Sequence, residues 1–216
     1  KLPVIPGHEI GAVIEKVGAE VPSHLVPGMI VTVNPYTNCG KCSSCRNGRV
    51  NACKYNETLG VQRNGAMRER MAVPWTKILP AEGLDSRTCA IAEPMSIGFH
   101  AVSRAEVTDI DTVMVIGCGM VGLGALVRSA VRGATVIATD IDDENEYKSF
   151  KNRTVNYIGN REFDVFVVSG NEAFRFILNY KDTIVKEKPI VFIGVSDTEL
   201  IREGMYFSKF YPQISV

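Results

Sequence analysis

The segment "DTVMVIGCGMVGLGALVRSAVRGATVIATD", Asp111 to Asp140, constrains the fold of this 216-residue chain more than any other. Thr112 to Ile116 is a β-branched and apolar run, the mark of a buried strand. Gly117, Gly119 and Gly122 follow as G-x-G-x-x-G, and then apolar Leu123, Leu126, Val127 and Ala130 come at helical spacing. Gly133 ends that helix, Ala134 to Thr139 reads as a second strand, and Asp140 closes it eighteen positions past the last glycine. Strand, glycine turn, helix, strand and acid in that order predict a parallel βαβ unit that grips a dinucleotide. Gly117 permits the tight turn, Gly119 lets a pyrophosphate approach, and Gly122 brings the helix against the strand. With Met120 and Val121, whose N–H groups open the helix, they form the expected phosphate contact at a positive dipole end. Asp140 is placed to accept from both ribose hydroxyls, and its charge opposes a 2′-phosphate. Ile141, Asp142, Asp143 and Glu144 supply no arginine to offset it, so NAD is expected rather than NADP. The plainer reading of the glycines is a βα turn with no ligand.

A second stretch, "NCGKCSSCRNGRVNAC", holds four of the six cysteines at the spacing Cys39-x2-Cys42-x2-Cys45-x7-Cys53. The loop is small and polar (Gly40, Ser43, Ser44, Asn47, Gly48) and contains little from which to build a core. Four thiolates close a tetrahedron around zinc and leave no position for a substrate, so the expected metal is structural and holds the lobe together. Two disulfides or four free thiols remain the other readings.

Composition removes several classes. Formal net charge is zero, and basic residues do not interleave with aromatics, so a nucleic-acid module is not expected. No apolar run reaches the length of a membrane span. The opening "KLPVIPGHE" has no charged and apolar blocks of a signal peptide. A cytoplasmic setting is expected, where clustered cysteines are metal-binding or catalytic more often than disulfide-bonded.

Two shorter stretches complete the pattern. "PGHEIGAVIEKVG" sets His8 and Glu9 side by side before an alternating strand, and "IAEPMSIGFHAV" sets Glu93 before a proline and a helix. Taken singly, His8 reads as a structural histidine and Glu93 as a solvated carboxylate at a helix start. His24, in a proline-flanked loop, and His100, on a helix face, match no motif.

The Gly-His-Glu motif, the four-cysteine loop, the Glu-Pro segment and the glycine fingerprint, in this order and at these intervals, resemble the zinc-dependent medium-chain dehydrogenase/reductase (alcohol dehydrogenase) family. Within it they resemble the sorbitol-like polyol branch. The resemblance runs from Pro6 to about Phe210. It implies an α/β chain: a GroES-like, mostly-β catalytic domain over residues 1–100, with its zinc lobe at about 35–56, then a Rossmann doubly wound parallel sheet over 101–216. It implies that Cys39, Cys42, Cys45 and Cys53 hold structural zinc, and that His8, Glu9 and Glu93 serve a catalytic zinc. Glutamate at position 93, where classical alcohol dehydrogenases carry cysteine, points to the polyol branch. Ser169 and Gly170, from "DVFVVSGN", and Ile193, Gly194 and Val195, from "KPIVFIGVSD", are expected on the nicotinamide side.

The chemistry implied is hydride transfer between a secondary alcohol (polyol, sugar acid, diol or threonine-like) and NAD. A Lewis-acidic metal with an open position lowers the pKa of the substrate hydroxyl. The site is expected beyond the carboxyl ends of the Rossmann strands, and the assembly is expected to be a homo-dimer or homo-tetramer. The alternative is a relative without catalytic zinc that acts as an NAD(P)-dependent reductase or nucleotide-binding protein.

Some features depart from the family. Asp164 follows Asp140 by only 24 positions, too few for the family's helix, strand and helix, so missing residues are expected there. An upstream catalytic-zinc cysteine and a closing segment are likewise expected outside this sequence, since neither Cys89 nor Cys118 suits that role. Gly28-Met29-Ile30-Val31 replaces the usual G-D-x-V turn, and charge at Glu69 and Arg70 replaces an aromatic.

Overall fold

The computed structural model describes residues 3–140, 155, 158, 161–205 and 210–212. The chain forms two compact units, one running to Glu93 and the other starting at Pro94.

The first unit contains strands β1 (Gly11–Val13), β2 (Ile30–Val33), β3 (Tyr36–Thr37), β4 (Glu57–Thr58) and β5 (Ile78–Pro80). β2 pairs antiparallel with β1 on one side and β5 on the other. It alternates as a one-sided strand should, with Val31 and Val33 buried, as are Ile10, Leu25 and Cys89 of the same unit. β3 and β4 pair antiparallel and close the base of the cysteine loop, which contains the single-turn helix α1 (Ser43–Arg46). Helix α2 (Ser86–Ala90) is capped by Asp85, whose Oδ1 accepts the Thr88 N–H at 2.6 Å. α2 lies so close to β1 that a Cβ on Gly11 would meet the Ser86 carbonyl oxygen at 1.6 Å.

Helix α3 (Ala92–Arg104) starts two residues before Pro94. A proline is tolerated there because the first turn of a helix has no intrahelical use for its N–H.

The second unit is built on a five-stranded sheet: β6 (Thr112–Ile116), β7 (Thr135–Thr139), β8 (Val165–Ser169), β9 (Ile190–Ile193) and β10 (Phe210–Pro212). All pairs are parallel, in the order β10-β9-β8-β6-β7. The first strand thus lies between the second and the first strand of the following half, as in a Rossmann sheet, and the chain changes direction between β6 and β8. Such a sheet is covered on both faces, and its central strands β6, β8 and β9 are apolar along most of their length, whereas the edge strand β7 is half-exposed. Met114, Ile116, Phe166, Val168, Ile190 and Phe192 point to one face, while Val113, Val115, Val165, Val167, Val191 and Ile193 point to the other. Phe174, Phe176, Ile177 and Leu178 of helix α5 (Asn171–Asn179) and Leu200 of helix α6 (Thr198–Met205) cover the first face. Ala101 and Val102 of α3 and Ala125 of helix α4 (Met120–Val131) cover the second. Burial of each large apolar side chain contributes roughly 1.5–3 kcal/mol, so the aromatic-rich first face carries much of the stability.

α4 forms as the glycine turn and helical spacing predict, but three of its four spaced apolar positions face outward. Leu123, Val127 and Ala130 are exposed, and the buried face is Gly122, Gly124, Ala125 and Ser129. Backbone proximity is the reason. A Cβ on Gly98 would lie 2.3 Å from the Ala125 nitrogen, and one on Gly124 would lie 2.8 Å from the Met95 carbonyl oxygen. α3 and α4 therefore cross through their glycines, where larger residues do not fit. The residues expected to be missing between Asp140 and Asp164 fall largely outside the described residues. Among the positions that are described, Ile158 is buried in the first cluster.

Candidate functional site

Three sites were expected from the sequence, and each has a local geometry. In the cysteine loop all four Sγ atoms lie within 4.8 Å of one another. Cys42 Sγ is 3.5 Å from Cys45 Sγ and 3.9 Å from Cys53 Sγ. Zn–S bonds of about 2.3 Å set tetrahedral S–S edges at about 3.8 Å, whereas a disulfide requires about 2.05 Å. The cysteines are free thiols, and the donor set fits a tetrahedral ion. Backbone N–H groups already solvate the sulfurs: Cys39 and Tyr55 donate to Cys53 Sγ, and Cys42 donates to Cys39 Sγ. Backbone N–H donors at Cys45 and Lys54 hold the Cys42 thiol down to about 6. Burial, followed by the hydrogen bond that its thiol donates to the Cys42 sulfur, pushes Cys45 up to about 11. Such a set is charged in part before any cation arrives.

The second cluster brings ligand atoms of His8, Glu9 and Glu93 within 4.8 Å of one another across 85 positions of sequence. His8 is placed by a zipper of backbone hydrogen bonds: Gly65 N–H to the Ile5 carbonyl, Met67 N–H to that of Pro6, and Ala66 N–H to that of Gly7. The Asn64 carboxamide oxygen also accepts the Ile5 N–H at 3.0 Å. The approach is so close that a Cβ on Gly60 would meet the Gly7 nitrogen at 2.5 Å, and one on Gly65 would meet the Gly7 carbonyl oxygen at 2.2 Å. Glu93 arrives on the first turn of α3 and is 9% exposed, while Glu9 is exposed and His8 half-buried. Tyr36 donates its hydroxyl hydrogen bond to Glu93 Oε1. Burial, the bond to Glu93 and that group's charge push the phenol well above its ordinary value, so the proton stays on Oη. Two carboxylates and an imidazole this close favour a bound cation, and one nitrogen with two oxygens is a donor set suited to zinc. Cys89 is buried on α2 and does not join the cluster; Cys118 lies in the glycine turn.

The third site is the carboxyl end of the parallel sheet. Gly117 turns with φ +92°, and a Cβ on it would meet the Ser169 carbonyl oxygen at 2.6 Å. A Cβ on Gly122 would lie 1.8 Å from the Gly117 carbonyl oxygen, so this glycine packs α4 onto the turn itself. A Cβ on Gly119 would meet nothing within 4 Å, leaving the space a phosphate needs beside the N-terminus of α4. Asp140 Oδ2 accepts the Cys118 N–H at 2.6 Å, which ties the acid at the end of β7 to the glycine turn. Met120 is exposed and Val121 packs on the second face of the sheet.

Ser169 and Gly170 end β8, and Ile193 and Gly194 end β9, with the Gly170 N–H donating to the Ile193 carbonyl at 2.9 Å. The side chains of Ile193 and Val195 are buried, which leaves backbone groups as their offering to a ligand. Asn171, which carried no sequence signal, links the two strand ends. Its Oδ1 accepts the N–H groups of Ser196 and Asp197 at 2.9 and 3.2 Å, and its Nδ2 donates to Ser196 Oγ. His24 and His100 are both exposed. Arg70 pairs with exposed Glu15 at 2.7 Å.

Known proteins resemble this chain in sequence and in fold. The alcohol dehydrogenase GroES-like domain family matches residues 1–83. Over 138 residues the chain is 38% identical to L-galactonate-5-dehydrogenase of Escherichia coli, which covers 64% of this chain and 40% of that protein. Over 167 residues it is 32% identical to sorbitol dehydrogenase of Halalkalibacterium halodurans, covering 76% of this chain and 48% of that one. The chain thus spans less than half the length of these relatives. Among solved structures, galactitol-1-phosphate dehydrogenase from Escherichia coli superposes with a TM-score of 0.74 at 21% identity, over 100% of this chain and 68% of that one. With a GroES-like match over the first unit, a Rossmann sheet in the second and polyol dehydrogenases among its relatives, the chain belongs to the zinc-dependent medium-chain dehydrogenase/reductase family, in its polyol dehydrogenase branch.

Proposed function

We propose that the full-length protein is an NAD-dependent zinc dehydrogenase that moves a hydride between a secondary alcohol and the nicotinamide. The observation that carries this reading is the convergence of His8, Glu9 and Glu93 ligand atoms within 4.8 Å, in a chain that also carries the glycine turn and Asp140. Relatives that act on galactonate and sorbitol support a polyhydroxylated substrate: a polyol, sugar acid, diol or threonine-like alcohol.

In this reading residues 1–100 serve as the catalytic domain and 101–216 as the NAD-binding domain. His8 offers a ring nitrogen and Glu9 and Glu93 a carboxylate oxygen each to the catalytic ion. Cys39, Cys42, Cys45 and Cys53 hold the structural one. Zinc, when bound, supplies Lewis acidity to a substrate hydroxyl, and NAD supplies the hydride acceptor. The chain's own residues then do three things. The N-terminus of α4, with Gly117, Gly119, Met120, Val121 and Gly122, receives the pyrophosphate. Asp140 receives the ribose hydroxyls and rejects a 2′-phosphate. Ser169, Gly170, Ile193, Gly194 and Val195 border the nicotinamide, with Asn171 fixing the spacing of their two strand ends. Six free thiols suit a reducing, cytoplasmic compartment, and the family's dimers or tetramers suggest the assembly.

The test is a panel of sugar alcohols, aldonates, diols and threonine with NAD and NADP, followed by absorbance of the reduced cofactor. Turnover of at least one member with NAD is expected. Reduction of activated alkenes instead, by a protein that holds one zinc, would replace this reading with the zinc-free reductase.

A further inference from the structure

Tyr36 has its backbone held from several sides. It opens β3, pairs through its backbone with Thr58, donates its N–H to Asn34 Oδ1 at 3.0 Å, and accepts the Lys77 ammonium on its carbonyl. The ring thus springs from an anchored backbone, and its hydroxyl reaches Glu93, 57 positions away. It also stands three residues before Cys39, on the strand pair β3–β4 that closes the cysteine loop.

Glu93 needs such a partner. A carboxylate that is 9% exposed loses most of its water, and a charged group so placed must recover hydrogen bonds from the protein. A carboxylate has about four lone-pair sites, so a phenol donor and an ion can share one carboxylate. A donor on one oxygen also breaks the symmetry of the group and fixes the plane of the carboxylate.

We propose that Tyr36 is the positioning residue for the Glu93 carboxylate, and that through it the strand pair closing the cysteine loop sets the geometry of the His8–Glu9–Glu93 cluster. The proposal rests on reading that cluster as a metal site. Loss of an outer hydrogen-bond partner of a metal ligand lowers metal affinity or activity by about 10–100-fold. Tyr36→Phe keeps the ring and removes only the donor, so that is the expected loss at this cluster, with the cysteine loop untouched.

The experiment uses the full-length protein. Zinc affinity is measured by competition with a chromophoric chelator in wild type, Tyr36→Phe, Glu93→Gln and the double variant, and visible absorption is recorded after cobalt substitution. The expected result has three parts. Wild type holds two ions. Tyr36→Phe weakens one of them about 10–100-fold and shifts the cobalt bands of that site. In the Glu93→Gln background, Tyr36→Phe adds less than about twofold, because the two residues act as one unit. Two tightly held ions in Tyr36→Phe, with unchanged cobalt bands, overturn the role of Tyr36 and leave the metal reading intact. Equal losses in both backgrounds also overturn it, since they mark a general packing defect. One ion in wild type removes the metal reading and the proposal together. Should Tyr36→Phe lower the melting temperature, the comparison of backgrounds still decides, because a folding defect does not depend on Glu93.

Discussion

A Cβ on Gly122 would stand 1.8 Å from the carbonyl oxygen of Gly117. The glycine turn is thus held shut from inside by its own last glycine. Gly122→Ala must push α4 away from the turn, and overpacking of this kind costs roughly 1–3 kcal/mol. Gly119→Ala adds its methyl to open space at φ −61° and leaves folding unchanged. Calorimetric titration with NAD and thermal melting separate the two. Gly122→Ala should lose both stability and affinity, and Gly119→Ala affinity alone, by at least about tenfold. Equal melting temperatures for Gly122→Ala and wild type would show that the turn tolerates the methyl.

Asp140 sits one hydrogen bond from Cys118 in that turn, at 2.6 Å. A hydrogen bond to a charged group contributes about 1.5–3 kcal/mol, or about 10–150-fold in binding. Asp140→Ala should lower kcat/KM for NAD by about that factor and raise the NADP to NAD ratio. An unchanged ratio, or a wild type that prefers NADP, would remove the role assigned to Asp140.

The cysteine loop predicts a pH dependence of definite sign. Cys42, held down to about 6, is a thiolate at neutral pH, whereas Cys45, pushed up to about 11, still carries its proton. Zinc binding must release the Cys45 proton, and acidification below about pH 6 protonates Cys42 as well. Zinc affinity of the loop should therefore fall as pH falls, more steeply below about pH 6. Cys42→Ser should cost the protein one of its zinc ions. Affinity independent of pH between about 5 and 8 would contradict thiolate ligation.

Gly98 and Gly124 make the crossing of α3 and α4 a stability determinant. Gly98→Ala would place a methyl 2.3 Å from the Ala125 nitrogen and 2.4 Å from the Val121 carbonyl oxygen. The expected cost is roughly 1–3 kcal/mol, a fall of about 2–12 °C in melting temperature for a chain of this size. Because one helix separation relieves both clashes, Gly98→Ala and Gly124→Ala should be less than additive, as thermal melting of the double variant would show.

What the sequence made legible followed from local rules. Thr112–Ile116, the glycine turn and Asp140 lie within one stretch whose spacing is dictated by βαβ geometry. The structure places them as strand, turn and strand end. The four cysteines are equally local, and their Sγ atoms meet. His8 and Glu93 were ambiguous one at a time, because nothing in either stretch says what lies opposite; only the family pattern joined them. The residues that the sequence concealed work across long separations. Tyr36 looks like an ordinary strand aromatic until α3 brings Glu93 to it. Asn171 looks like a polar helix start until β9 brings Ser196 and Asp197. Gly60, Gly65, Gly98 and Gly124 look like loop or helix breakers until another backbone arrives at less than 3 Å from where a Cβ would sit. α4 shows the same limit: Leu123, Leu126, Val127 and Ala130 marked it as a helix, but closeness of backbones made small residues its buried face.

The account turns on a second ion held by His8, Glu9 and Glu93, apart from the one in the cysteine loop. Elemental analysis of the full-length protein, with NAD reduction assayed on the same samples, tests it most directly. Two zinc ions per chain are expected, falling to one in His8→Ala and in Glu93→Ala with loss of NAD reduction. One ion in wild type, or full turnover in His8→Ala, would contradict it.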